Sequence, residues 1–180
     1  MTASNETRKP SLPIDLILAT PEQEPILANL LELYVHDFSE FLPIELGADG
    51  RYGFPDLPLY LTEPDMYPFL VRVDGKLAGL VFVRRCPGVS STENVWDMAQ
   101  FFVVRCYRRR GVGTQIAHEV WTRFPGPWEV RIMGSNQPAL QFWQRAVDEF
   151  TGEAIIPARV EINGEDRHVF SFKSPASSAI

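Results

Sequence analysis

Apolar positions first cluster at residues 14–18, a run of strand length with Pro13 tolerable at its start. Thr20-Pro21-Glu22-Gln23 then reads as a helix start, with an N-cap Thr, Pro at the first helical position and Gln where a capping box needs one. Ile26, Leu30 and Leu33 follow at helical spacing, with Leu27, Leu31 and Tyr34 beside them, and predict a helix to about His36. Residues 69–73 and 77–84 read as two strands joined by the hairpin turn Asp74-Gly75. Gly79 inside the second strand predicts a bulge or a close backbone approach. A loop at 86–94 leads to an apolar run that begins at Trp96 and ends in Phe101, Phe102, Val103 and Val104, a further strand. Ile116, Val120, Trp121 and Phe124 predict a helix over 112–123, stopped by Pro125-Gly126-Pro127. Residues 128–133 alternate apolar and polar, a strand, and Gly134 to Pro138 turn into a helix with Leu140, Trp143, Val147 and Phe150 on one face. Residues 154–162 and 167–172, around Asn163-Gly164, form a last hairpin. This spacing gives one mixed domain over residues 12–173, with a disordered lead at 1–11 and a tail at 174–180.

One stretch breaks the pattern. Residues 37–68 carry five prolines, six aromatics, and seven carboxylates (Asp37, Glu40, Glu45, Asp49, Asp56, Glu63, Asp65) against the single base Arg51. So many aromatics argue against disorder, and a long irregular segment inside a domain is usually functional. An acidic, aromatic wall would suit a cationic acceptor.

Composition narrows the function. The 180 residues are 45% hydrophobic and 22% charged, as in a soluble globular protein able to bury a core. A net charge of −6 lacks the basic footprint of a nucleic-acid binder. Cys86 and Cys106 make no disulfide framework and no metal-ligand spacing, and the three histidines add no metal pattern. The polar residues 1–10 lack a signal-peptide core and no run is long enough to span a bilayer, which predicts a cytoplasmic protein without membrane contact.

The candidate chemistry sits at residues 96–123, where a strand feeds a basic turn, Arg105-Cys106-Tyr107-Arg108-Arg109-Arg110-Gly111-Val112-Gly113-Thr114, and then a helix. Unpartnered N–H groups at a helix start attract pyrophosphate, and Gly111 and Gly113 would let the backbone approach it. Gly111-Val112-Gly113 also begins a dinucleotide fingerprint, but Ile116 holds its third glycine position. No Gly-Lys-Ser/Thr run marks a P-loop.

The pattern Arg108, Arg109-Arg110, Gly111, Val112, Gly113 resembles motif A of the GNAT superfamily of N-acetyltransferases, of the bacterial type. Asn136, Pro138-Ala139 and Phe142-Trp143 resemble its motif B. The resemblance implies an α+β fold with a central, mixed and largely antiparallel sheet flanked by helices. It implies acetyl-CoA as co-substrate, no metal, and an amine acceptor, either a small molecule or a peptide; a homodimer stays open. The donor arm would lie along the backbone of Phe101, Phe102 and Val103, as an added strand does. Its pyrophosphate would sit on Arg108, Arg109, Arg110, Gly111, Val112, Gly113 and Thr114. An oxyanion would find a backbone N–H near Val103. Asn136 would contact the donor or simply cap its helix. Trp143 stands where the family commonly has a Tyr that protonates the departing thiolate, and an indole N–H donates a hydrogen bond but no practical proton. The strand before motif A offers Asp97 and Glu93 as general bases and Gln100 to orient water or acceptor. Two readings follow: an acyl-CoA-dependent N-acyltransferase acting by direct attack, and a non-catalytic acyl-CoA-binding module.

Overall fold

The structure, a computed structural model, describes residues 13–89 and 93–176. The predicted lead at 1–11 therefore lies outside the described residues. In chain order the elements are β1 (Ile14–Leu18), α1 (Glu24–Phe38), α2 (Leu57–Thr62), β2 (Met66–Val73), β3 (Lys76–Pro87), β4 (Asn94–Val103), α3 (Val112–Arg123), β5 (Gly126–Met133), α4 (Gln137–Thr151), β6 (Ala158–Ile162) and β7 (Glu165–Ser174). The strands form one sheet in the order β1-β2-β3-β4-β5-β7-β6. Every neighbouring pair is antiparallel except β4 and β5. This is the mixed, largely antiparallel α+β sheet that the resemblance implies.

Helices cover both faces and create two cores. α3 and α4 bury Ile116, Val120, Trp121, Trp143 and Val147 against Val81, Trp128, Val130 and Phe170. On the other face α1 and α2 bury Leu27, Leu30, Leu31, Leu57 and Tyr60 against Leu70, Leu80, Phe82 and Phe102. Each fully buried side chain contributes roughly 1.5–3 kcal/mol, so these contacts decide which face of a helix turns inward. That corrects α1, where Val35 is buried and Leu33 is 51% exposed. The capping box at Thr20 and Gln23 exists, but it opens a short 3-10 turn at Pro21–Gln23, and the α-helix starts one residue later.

The irregular stretch holds one element that the spacing does not reveal. α2 is short and starts beside a proline, and it is kept by burial of Leu57 and Tyr60 rather than by a repeat. The loop before it is tied to α1 through Glu32, whose carboxylate accepts from Tyr52 N (2.8 Å) and Gly53 N (3.0 Å). These bonds, the first above all, hold the Glu32 carboxyl below its usual range. At the far end Ser174 belongs to β7 and is fully buried, its hydroxyl donating to Trp121 O at 2.6 Å, so the tail begins later than the composition suggests. Among the described residues no helix is long and apolar enough to cross a membrane.

Gly79 meets both expectations set for it. The β2–β3 register shifts between Val71 and Arg72, beside it. A Cβ at Gly79 would lie 2.0 Å from Phe102 O, so only glycine lets β3 approach β4 this closely.

Candidate active site

β4 and β5 pair at only two rungs, Trp96 with Trp128 and Asp97 with Glu129. Beyond them β4 runs on to Val103 and β5 to Met133 with no pairing. The last rung sets two carboxylates side by side, Asp97 2% and Glu129 1% exposed, an arrangement that repels unless cations intervene. Arg84 Nε donates to Asp97 Oδ2 at 2.9 Å. Arg131 Nη2 donates to Glu129 Oε2 at 2.8 Å and to Pro87 O at 3.0 Å, and its Nε lies 4.0 Å from Asp97 Oδ1. Burial is the largest single influence and would lower both guanidinium pKa values, but Asp97, joined by Tyr60 and Cys86 at Arg84 and by Glu129 and Cys86 at Arg131, outweighs it and both end above their ordinary value.

Two residues along, Phe82 pairs with Gln100 and Val83 with Met98, so Ala99 is the extra residue of a β-bulge. A bulge bends its strand and re-aims the side chains beside it. The parted strands, the end of α1, the start of α4 and Glu165 and Arg167 of β7 enclose a cleft of about 560 Å³. Along it β4 is bonded to β3 and not to β5, so its other edge is available for an extended ligand.

The basic turn closes one end of this cleft. Gly111 is the N-cap of α3 at φ +80°, with open space where a Cβ would stand. Arg109, at φ +59°, shares the left-handed region without being glycine, a strain typical of functional turns. The first helical N–H groups, those of Val112, Gly113 and Thr114, have no intrahelical partner by helix geometry. They suit a pyrophosphate, and the bare β4 edge suits the pantetheine arm, so these residues fit the donor that the resemblance implies.

Several residues do more, or other, than the sequence suggests. Arg108 is already bound, its Nε donating to Val103 O (2.6 Å) and its Nη2 to Asp37 Oδ2 (2.5 Å). Arg105 Nη2 donates to the other Asp37 oxygen at 2.6 Å. That leaves Arg109 and Arg110, both exposed, as the turn's cations without an ion pair among the described residues. Gly113 also packs closely, since a Cβ there would stand 3.1 Å from the Phe142 ring and the ring would have to give by a few tenths of an ångström. The Asn136 side chain caps α4, accepting from Ala139 N at 3.0 Å, at the edge of the cleft. Trp143 lines the cleft and packs edge-on to Phe101, ring centroids 4.8 Å apart.

The three residues named for catalysis are not brought together. Gln100 lines the cleft. Asp97 lies behind it, turned to Arg84 and Arg131, because a carboxylate this deeply buried needs cations about it. Glu93 is exposed ahead of β4, at the end remote from the turn, where its carbonyl accepts from Gly88 N. The acidic wall is also corrected. Of its seven carboxylates only Asp37 and Glu40 reach the cleft, and Asp37 is neutralised by two arginines.

Four polar cleft residues escape the sequence reading as site residues: Tyr34, Arg131, Glu165 and Arg167. Tyr34 carried a signal, a polar tip in the apolar stripe of α1. Burial, assisted by Tyr60 and opposed by Arg167, pushes its phenol up from the ordinary tyrosine value. Arg131 and Arg167 come from strands distant in sequence, and only the β5–β7 register sets them beside the cleft.

Comparison with known proteins agrees with this geometry. A family model for the acetyltransferase (GNAT) family matches residues 27–147, and the chain belongs to that family. Among curated protein sequences none matches. An acetyltransferase from Thermus thermophilus is similar in structure, with 18% identity, a TM-score of 0.64 and 90% of this chain on 97% of that one. Arabidopsis thaliana NAA60, solved with a bisubstrate analogue, is 18% identical at a TM-score of 0.58, over 89% of this chain and 98% of its own. Spermidine N-acetyltransferase from Vibrio cholerae, solved with CoA and spermine, is 14% identical at a TM-score of 0.57, over 89% and 95%. At these identities the likeness is one of fold. Among the described residues no group of three or more His, Cys, Asp or Glu side chains could hold a metal ion.

Proposed function

We propose that the protein is an acyl-CoA-dependent N-acyltransferase that uses acetyl-CoA and transfers its acyl group to an amine by direct attack. The parting of β4 and β5 beyond Asp97 and Glu129 carries this reading, because it opens one cleft from the α3 turn to the α1 wall. The donor supplies an activated thioester. Val112, Gly113 and Thr114 would hold its pyrophosphate through backbone N–H groups, with Arg109 and Arg110 adding charge. Backbone groups of Phe101, Phe102 and Val103 would hold its arm, and Asn136 and Trp143 would border it.

The attacking nitrogen forms a C–N bond, the C–S bond breaks, and the nitrogen's proton must leave. Glu40 is the one cleft-lining carboxylate, among the described residues, with no ion pair, and it takes that proton through water in this reading. Gln100 orients the acceptor. Asp97 is a positioning residue that holds Arg84 and Arg131, and Glu93 takes no part. Tyr34 stays protonated and donates a hydrogen bond to the departing sulfur in place of the missing motif-B tyrosine. Cys86 and Cys106, both free, suit a reducing cytoplasm.

Trp143 favours one second reading, a module that binds acyl-CoA without turning it over. Calorimetric titration with acetyl-CoA, followed by thiol release against a panel of amines, separates the two. Binding with amine-dependent release supports the transferase, binding with no release under any amine supports the module, and no binding overturns both.

A further inference from the structure

Among the described arginines around the cleft, Arg167 alone holds an unused, enclosed donor. Arg105 and Arg108 are spent on Asp37, and Arg131 on Glu129 and Pro87 O. Arg167 Nη2 donates to Glu165 Oε2 at 2.5 Å, while its Nε is shut off from solvent and has no hydrogen-bond partner. Nε–H and Nη2–H lie along one edge of the guanidinium, the edge that a carboxylate grips with both oxygens. Glu165 uses half of that edge. Its side chain is 43% exposed, so it can swing out to solvent when a better ligand arrives.

The charge around the edge points the same way. Asp37 is neutralised, Glu165 already faces Arg167, and Glu40 is the one unpaired carboxylate among the described lining residues. A polycation would find one anion there; a zwitterion would find one anion and one half-open guanidinium. The adjoining cleft, which shares Glu165 and Arg167, adds Arg159, the carboxylate Asp166 and a His168 whose Nδ1 is buried without a partner.

Resting on the transferase reading, we infer that the acceptor is a free amino acid, its carboxylate gripped by the Nε–Nη2 edge of Arg167 and its amine directed to Gln100 and Glu40. Arg167 is then a specificity residue for the acceptor and Glu165 a competing internal carboxylate.

The test uses the full-length protein saturated with CoA. Each of the common L-amino acids and its α-carboxamide is titrated calorimetrically, and thiol release from acetyl-CoA is followed with the same compounds. At least one amino acid is expected to bind about tenfold or more tighter than its carboxamide. Arg167→Gln should erase that ratio, and Glu165→Gln should widen it severalfold. Equal binding of acid and amide, no binding of any amino acid, or a ratio unmoved by Arg167→Gln overturns the inference, as does a preference for spermine or for an acidic peptide. Loss of CoA binding in the wild-type protein instead overturns the donor reading, and binding without thiol release overturns the transferase reading alone. Thermal unfolding of both variants reports whether they fold.

Discussion

Arg108 joins the two halves of the cleft: its Nη2 donates to Asp37 Oδ2 at 2.5 Å, and its Nε to Val103 O at 2.6 Å. One guanidinium thus ties the basic turn to both the end of β4 and the α1 wall. Its ring-facing surface also lies over Phe102, 5.4 Å from the centroid. Arg108→Ala should cost about 1.5–3 kcal/mol in chemical denaturation, the range for a hydrogen bond to a charged group. CoA affinity should fall with it, since the turn loses its anchor. An unchanged affinity in calorimetry would show that the turn holds its shape alone.

The same contact predicts a pH effect. Burial alone would raise the Asp37 carboxyl, but hydrogen bonds from Arg108 and Arg105 override it and hold the group below its ordinary value. A folded-state pKa below the unfolded one stabilises at pH values above the unfolded pKa, about 3.9, and that stability is lost as pH falls through the folded value. The stability gap between wild type and Asp37→Asn should therefore be constant above about pH 5 and shrink below about pH 4. A gap that is flat across the acid range would refute the assignment.

Two glycines should fail in different ways. Gly111→Val places a Cβ in open space but forces a β-branched residue to φ +80° at the N-cap of α3. A fold retained at a cost of about 1–2 kcal/mol, with CoA binding lost, is the expected outcome. Gly79→Ala would drive a Cβ to within 2.0 Å of Phe102 O, a backbone atom that cannot turn aside. It should cost about 3 kcal/mol and act on stability first. Circular dichroism melts with CoA titrations distinguish the two.

Asp97→Asn separates a base from a support. Removing one partner of a fully buried pair costs about 3–5 kcal/mol, and Asp97→Asn should cost less because the Arg84 side chain is 38% exposed and water can solvate it once its carboxylate is gone. As a positioning residue, Asp97 should leave the pH profile of thiol release with its midpoint in place while the rate falls. Disappearance of the acidic limb of that profile, where a general base becomes protonated, would restore Asp97 as the general base.

Tyr34→Phe removes the hydroxyl from a residue that lines the cleft together with Trp143. Thiol release should slow about a hundredfold while CoA affinity stays the same. A wild-type rate would leave the departing sulfur without a protein donor from α1.

The sequence by itself determined most of the local elements, α2 excepted, and the donor end of the cleft. Asp74-Gly75, Asn163-Gly164 and Pro125-Gly126-Pro127 write their turns in neighbouring residues, and the turn from Arg108 to Gly113 with its following helix is one contiguous stretch. Such features depend on backbone preferences and on short-range periodicity, which a chain displays in order. Tertiary structure alone decided the acceptor end. It buried Asp97 behind the cleft, spent Arg108 on Asp37, left most of the acidic wall elsewhere, and set Arg167 beside Tyr34 through the β5–β7 register. Those outcomes depend on which strands lie side by side and on which charges must be paired once water is excluded, and neither is a property of adjacent residues.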